Sequence, residues 1–147
     1  MRTENGFKVE PYTFLSNMER CRVLMYNQWY TSVESAYQAS KCADPADRVQ
    51  FQNLNPYAAK KSGRHVRMRS DFDTVKLQFM EELLRRKFSN VNPELKQKLI
   101  ATGDIELVEV NNWGDTFYGE CNGVGENHLG KLLMKIRQEL ITSSEQR

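Results

Sequence analysis

Glu34, Gln38 and Lys41 place a carboxylate, an amide and an amine at spacings of four and three. The stretch from Thr31 to Lys41 reads as the first full helix. At 3.6 residues per turn, positions seven apart fall within about 20° of each other around the axis. Glu34 and Lys41 then share one edge with Gln38 between them, while Val33, Ala36, Tyr37 and Ser40 form the neighbouring, mostly apolar stripe that should face the core. An acid and an amine beside a buried stripe can wall a pocket and move protons. The same spacing also suits an ordinary solvated face, and Thr31-x-x-Glu34 is a capping-box pattern in which the glutamate merely starts the helix. Spacing alone leaves both readings standing.

The elements that must hold these groups follow from the rest of the chain. Its 147 residues suit one domain with a core of its own. Apolar residues at 39% and charged residues at 27% indicate a globular protein with a polar surface. No run approaches the roughly 18 apolar residues of a membrane span, and no secretion signal is visible, so a cytoplasmic setting is the expectation. Cys21, Cys42 and Cys121 are odd in number and form no CxxC pair, and His65 and His128 lie far from them. No metal site and no cofactor are expected.

Tyr12–Leu15 has strand-like composition. Cys21–Tyr26 reads as a second strand, turning at Asn27-Gln28 into a short return arm, Trp29-Tyr30. Asp44-Pro45 and Asn55-Pro56 each pair a cap with proline at the first helical position, predicting helices to about Asn53 and to near Gly63. Asp71 or Asp73 caps the most amphipathic helix, carrying Val75, Phe79, Met80, Leu83, Leu84 and Phe88. Asn92-Pro93 opens another helix, with Leu95, Leu99 and Ile100 inward. Ile105–Val110 reads as a strand. The last helix starts near Asn127 and buries Leu129, Leu132, Leu133, Ile136 and Leu140, and residues 142–147 read as a frayed tail.

Two further stretches could meet a ligand. Lys60–Arg69 holds five Lys and Arg in ten residues, which can gather an anion or be a solvated face. The stretch 111–126 has four glycines and three aromatics without periodicity. Loops of that length in a small domain are usually functional or disordered, and the aromatics argue against disorder. No nucleotide-binding GxGxxG or Walker motif is present.

Taken together, Phe14-Leu15-Ser16-Asn17, Tyr30-x-Ser32-Val33-Glu34-x-Ala36-Tyr37-Gln38-Ala39-x-Lys41, Ala59-Lys60-x-x-Gly63-Arg64 and Asp71-x-Asp73-x-Val75-Lys76 resemble the NADAR (YbiA-like) proteins. So do Thr102-Gly103-Asp104, Leu107-Val108-Glu109, Trp113-Gly114 and Gly125-x-Asn127-x-Leu129-Gly130. The resemblance covers nearly the whole chain in order. It implies an α+β fold, a helix-dominated single domain of about six helices with a few short β-strands. It also implies hydrolysis of the bond between a ribose C1′ and a nitrogen. The substrate would be a phosphorylated ribosylamino-pyrimidine of riboflavin synthesis, or ADP-ribosylated guanine in nucleic acid.

Glu34 matches the family's catalytic acid and Lys41 its lysine. Lys41 would act as a charge partner or, as an amine, form a Schiff base with C1′. Asp115 would be a second carboxylate, or an ordinary turn aspartate. Asn17, Gln38, Phe72, Trp113, Gly114 and Asn127 would line the substrate, and Lys60 and Arg64 would take its phosphate. Ser35 stands where the family often has histidine, and Phe72 where it often has tryptophan. A second reading keeps the same residues as a non-catalytic module that binds ADP-ribose or a related nucleotide.

Overall fold

The structure is a computed structural model and describes residues 1–145. It resolves into two compact units: Asn17–Asn92, and Met1–Ser16 together with Pro93 onward. As expected, the fold is α+β, dominated by helices, with a few short strands.

In the 17–92 unit, β1 (Val23–Met25) and β2 (Gln28–Tyr30) form an antiparallel hairpin in which Leu24 faces Trp29. Its two-residue turn is Tyr26-Asn27, both at positive φ, so Gln28 belongs to the return strand rather than to the turn. The central helix α1 (Val33–Ser40) packs against the hairpin and three other helices. These are a 3-10 helix (Pro45–Gln52), α2 (Pro56–Ser62) and α3 (Phe72–Lys87). The two proline starts are realised as expected. Asp44 accepts from the Ala46 N–H and Asn55 from the Ala58 N–H, each at 2.9 Å. Asp71 sits at the α3 N-cap but makes no side-chain cap, because Arg69 holds its carboxylate in a two-pronged pair.

Lys87 ends α3 fully buried, and burial pushes its pKa down to about 8 although Cys21 and Glu19 favour its charge. A base whose folded pKa is depressed stabilises the fold only as pH climbs through that value toward its unfolded pKa. Stability should therefore gain on the order of 3 kcal/mol from this residue between about pH 8 and 10.5. Denaturant melts of wild type and Lys87→Met across that range check it. Wild-type stability minus that of Lys87→Met should rise with pH, isolating Lys87 from the tyrosines and cysteines that titrate there.

In the other unit, α4 (Pro93–Ala101) packs on α5 (His128–Glu145), and Leu99, Leu129, Leu132, Leu133 and Ile136 are buried. Because α5 continues to Glu145, the segment read as a frayed tail is helical as far as it is described. Residues 146–147 lie outside the described residues. Two strand expectations fail here. Thr13–Leu15 is a 3-10 turn, with the Leu15 N–H donating to the Tyr12 carbonyl. Within 105–110, Glu106 makes a single bridge with Arg2 and only Val110 enters a strand. That strand, β3 (Val110–Asn111), pairs in parallel with β4 (Glu120–Cys121). The reason lies in the partners. Thr3 Oγ1 accepts from the Val108 N–H, and Asn127 accepts from the Glu109 N–H and donates to the Leu107 carbonyl, so side chains stand where a neighbouring strand would.

Candidate active site

Helix α1 is buried almost all round: of its eight residues only Glu34 keeps appreciable exposure. Such a helix is normally apolar, yet this one carries two serines and a glutamine, and buried polar groups call for partners inside the protein. Ser32 is the N-cap, accepting from the Ser35 N–H at 3.0 Å, and Ser35 Oγ donates to the Leu54 carbonyl at 3.3 Å. Ser40 Oγ donates to the Tyr37 carbonyl. The capping-box reading of Thr31 and Glu34 is thereby corrected. Ser32 does the capping, and Glu34 is released from the backbone.

Glu34 instead accepts from Gln38 Nε2 at 2.7 Å, one turn along the helix. Its own N–H donates to the Asn17 carbonyl at 3.0 Å, which fixes the start of the helix against the preceding loop. Burial pushes the Glu34 carboxyl pKa up, against the opposing pull of Gln38, Lys60 and Lys41. An amide suits such an acid, since it donates to the carboxylate and, turned over, accepts from the protonated form.

Lys41 closes α1 and is half-buried. Burial pulls its pKa down, Arg64 and Lys60 add to that, and Glu34 opposes it. Two groups of opposite type are thus drawn toward their neutral forms within one electrostatic neighbourhood. That is the condition under which an acid donates a proton and an amine attacks near neutral pH.

Gly63 is the α2 C-cap, where the sequence predicts the helix to end. Its larger role is steric. A Cβ there would lie 1.9 Å from Gln38 Oε1 and 2.6 Å from Gln38 Cδ, although its φ of −62° would accept any residue. Gly63→Ala should cost about 1–3 kcal/mol and displace Gln38 from Glu34. A thermal melt and a turnover assay on the one variant check both effects, with activity expected to fall further than the melt alone explains.

Among the described residues, Gln38 Oε1 and Asn17 Oδ1 are buried and accept no hydrogen bond, while Asn17 Nδ2 lies 3.6 Å from Met80 Sδ. Acceptors left open in this way fit hydroxyl or amine donors on a ligand. Lys60 is half-buried and Arg64 exposed, both acting electrostatically on Lys41. Phe72 lies in the core, 3% exposed, with its ring edge-on to Tyr37 at 5.4 Å.

The remaining candidates belong to the other unit. Asp115 Oδ1 accepts from the Phe117 and Tyr118 N–H groups at 3.1 and 2.9 Å, the turn geometry foreseen as its alternative. Asn111 holds the Asp115 backbone from both sides. The Asn127 amide is spent on Glu109 and Leu107, at positive φ. Trp113 is 53% exposed with Lys8 over its ring at 4.6 Å, and Gly114, at φ +84°, has open space around its Cα. Among the described residues no three His, Cys, Asp or Glu gather as a metal ion would need. No described helix is long and apolar enough to cross a membrane.

Sequence reasoning missed the Ser32 cap, the Asn17 carbonyl and the Arg69 N–H that donates to the Lys41 carbonyl at 2.8 Å. Only Ser32 left a signal, as a second hydroxyl residue beside Thr31.

The NADAR domain family matches residues 4–141. This chain belongs to the NADAR family. An N-glycosidase of Nostoc punctiforme is 34% identical over 138 residues, covering 89% of this chain and 87% of that protein. The N-glycosidase YbiA of Escherichia coli is 36% identical over 116 residues, covering 76% of this chain and 71% of its own length. A riboflavin biosynthesis protein of Vibrio vulnificus is 34% identical, with 89% of this chain matching 36% of the larger protein. The solution structure of the E. coli YbiA protein has the same fold, with a TM-score of 0.82 at 29% identity. It covers 97% of this NADAR chain and 85% of that one.

Proposed function

We propose that this NADAR protein is a hydrolase of N-glycosyl compounds that cleaves the bond between a ribose C1′ and a base or amine nitrogen. Family membership and the N-glycosidase relatives support the reaction class. The observation that carries the assignment to residues is Glu34, half-buried where the rest of α1 is buried, held by Gln38 and pushed by burial toward its acid form.

Leaving-group nitrogen departs readily only when protonated, and Glu34 supplies that proton. As a carboxylate it then faces the positive charge that develops at the sugar. Lys41, in its amine form, adds to C1′ as the base departs, and the sugar ring of the resulting aminal opens as the lysine nitrogen passes a proton to the ring oxygen. The base leaves with the proton from Glu34, and water cleaves the resulting Schiff base to release the free sugar. The unpartnered amide oxygen of Asn17 takes a ribose hydroxyl, Gln38, whose own oxygen lies against Gly63, holds Glu34 in place, and Lys60 and Arg64 take phosphate. Asp115 and Asn127 contribute by shaping their own loop, because their side chains already serve its backbone.

Two substrates fit this chemistry: a phosphorylated ribosylamino-pyrimidine and ADP-ribosylated guanine. Incubation with each, followed by mass spectrometry, tests the reading. Release of free base and free sugar from either supports it. Ligand binding without release would mark a non-catalytic ADP-ribose or nucleotide module instead.

A further inference from the structure

Charge is divided unevenly along the chain. Residues 17–92 hold 13 Lys and Arg against 8 Asp and Glu, a net +5, while the remainder nets −3. Part of this excess sits on aromatic rings at the β1–β2 hairpin. The Arg22 guanidinium lies 4.5 Å over Trp29, and that of Arg48 lies 3.6 Å over Tyr26. The strand period puts Arg22 and Leu24 on one face, and the register pairs Leu24 with Trp29, so these groups share the outer face of the hairpin. Trp29 is 42% exposed and Tyr26 37%.

Stacking uses none of a guanidinium's five N–H donors. Arg69 spends its own on Asp71, but among the described residues neither Arg22 nor Arg48 pairs with a carboxylate. Tyr26 also sits in the left-handed region at φ 52°, where a bulky side chain is disfavoured, so the turn presents a ring against the preference of its backbone.

A chain of contacts links this face to the backbone of Lys41. The Arg69 N–H is bonded to the Lys41 carbonyl, its guanidinium lies 5.2 Å from the Phe79 ring, and Phe79 stands 6.4 Å from Tyr26. Exposed rings interleaved with unpaired arginines and a net positive charge match the requirements of bases and phosphates on a flexible strand. An acidic peptide would use the charge and leave the rings idle.

We propose that the outer face of the hairpin, with Arg22, Tyr26, Trp29 and Arg48, binds single-stranded nucleic acid. The strand leads from this face to Lys41. The proposal rests on the glycosidase reading only in saying which end of the track holds the reacting nucleotide.

Fluorescence anisotropy with labelled, unmodified 12-nucleotide DNA and RNA single strands tests it across a salt series. Wild type should bind, with log K falling against log salt at a slope of about −1.5 to −2 for two or three phosphates. Trp29→Ala and Tyr26→Ala should each weaken binding by about five-fold or more, and Trp29→Phe should restore most of it. Arg22→Gln with Arg48→Gln should flatten the slope by about 1. Thermal melts matching wild type show that these variants fold. Failure to bind at 50 mM salt would overturn the proposal, as would unchanged binding by the arginine variant, or equally effective competition from polyglutamate at matched charge. Binding of these unmodified strands is read without turnover, so loss of the glycosidase reading and loss of this one register in separate assays.

Discussion

Glu34→Gln should lower kcat by roughly 10²–10⁴-fold while leaving ligand affinity within a few-fold, because a general acid contributes about that much to the transition state and little to ground-state binding. Glutamine keeps the shape of the side chain and the contact from Gln38 Nε2, so the helix and its neighbours stay in place. What disappears is the transferable proton. Single-turnover kinetics beside a direct binding measurement separate the two effects, and a non-catalytic binding module would lose neither.

The same variant carries a pH signature. The proposed mechanism requires the acid form of Glu34 and the amine form of Lys41 together, so kcat of wild type against pH should be bell-shaped, with limbs that belong to the pair. With glutamine at 34, one titration is gone and the residual rate should rise with pH through the lowered Lys41 value. Stability moves the opposite way from activity. A carboxyl whose folded pKa is raised contributes stability below its unfolded pKa and loses it as pH climbs through the folded value. Glu34→Gln should therefore be more stable than wild type at neutral pH, with the gap closing in acid. An active site that costs the fold something is the usual reason for such a trade.

The second large effect is at Lys41. Lys41→Ala should abolish measurable turnover, and borohydride should trap a substrate-dependent adduct on wild type at that residue, visible as a peptide mass increase. Lys41→Arg decides between the two roles of the lysine. Arginine keeps the charge but stays protonated and cannot attack carbon. Equal loss in Lys41→Ala and Lys41→Arg marks a nucleophile, whereas recovery in Lys41→Arg marks a charge partner.

Local signals were the legible part of this fold. Asp44-Pro45, Asn55-Pro56 and Asn92-Pro93 announced three helix starts, the first two because a cap and a proline act within a few residues, the third through its proline, since the Asn92 amide is spent on Arg22 and Lys87. The apolar period of α3 and α5 likewise announced their buried faces. Ile105–Val110 misled because its composition suits a strand while its backbone partners, Thr3 and Asn127, come from 105 and 18 positions away. The candidate site divides along the same line. Glu34 and Lys41 were legible from spacing and from resemblance. That Ser32 rather than Thr31 caps α1 depends on Ser32 being extended, at φ −158° and ψ 158°, and fully buried, which only packing decides. The reach of Gln38 over Gly63 is also tertiary, and glycine at a helix end has too many ordinary explanations to reveal it.

Dependence of the rate on leaving-group acidity tests the central claim most directly. Two ribosides should be compared in wild type and Glu34→Gln, one with a basic amine as leaving group and one with an acidic phenol that departs without a proton. A proton-donating Glu34 predicts a large deficit on the amine that shrinks by at least about 10²-fold on the phenol. An equal deficit on both would contradict the assignment of the acid to this side chain.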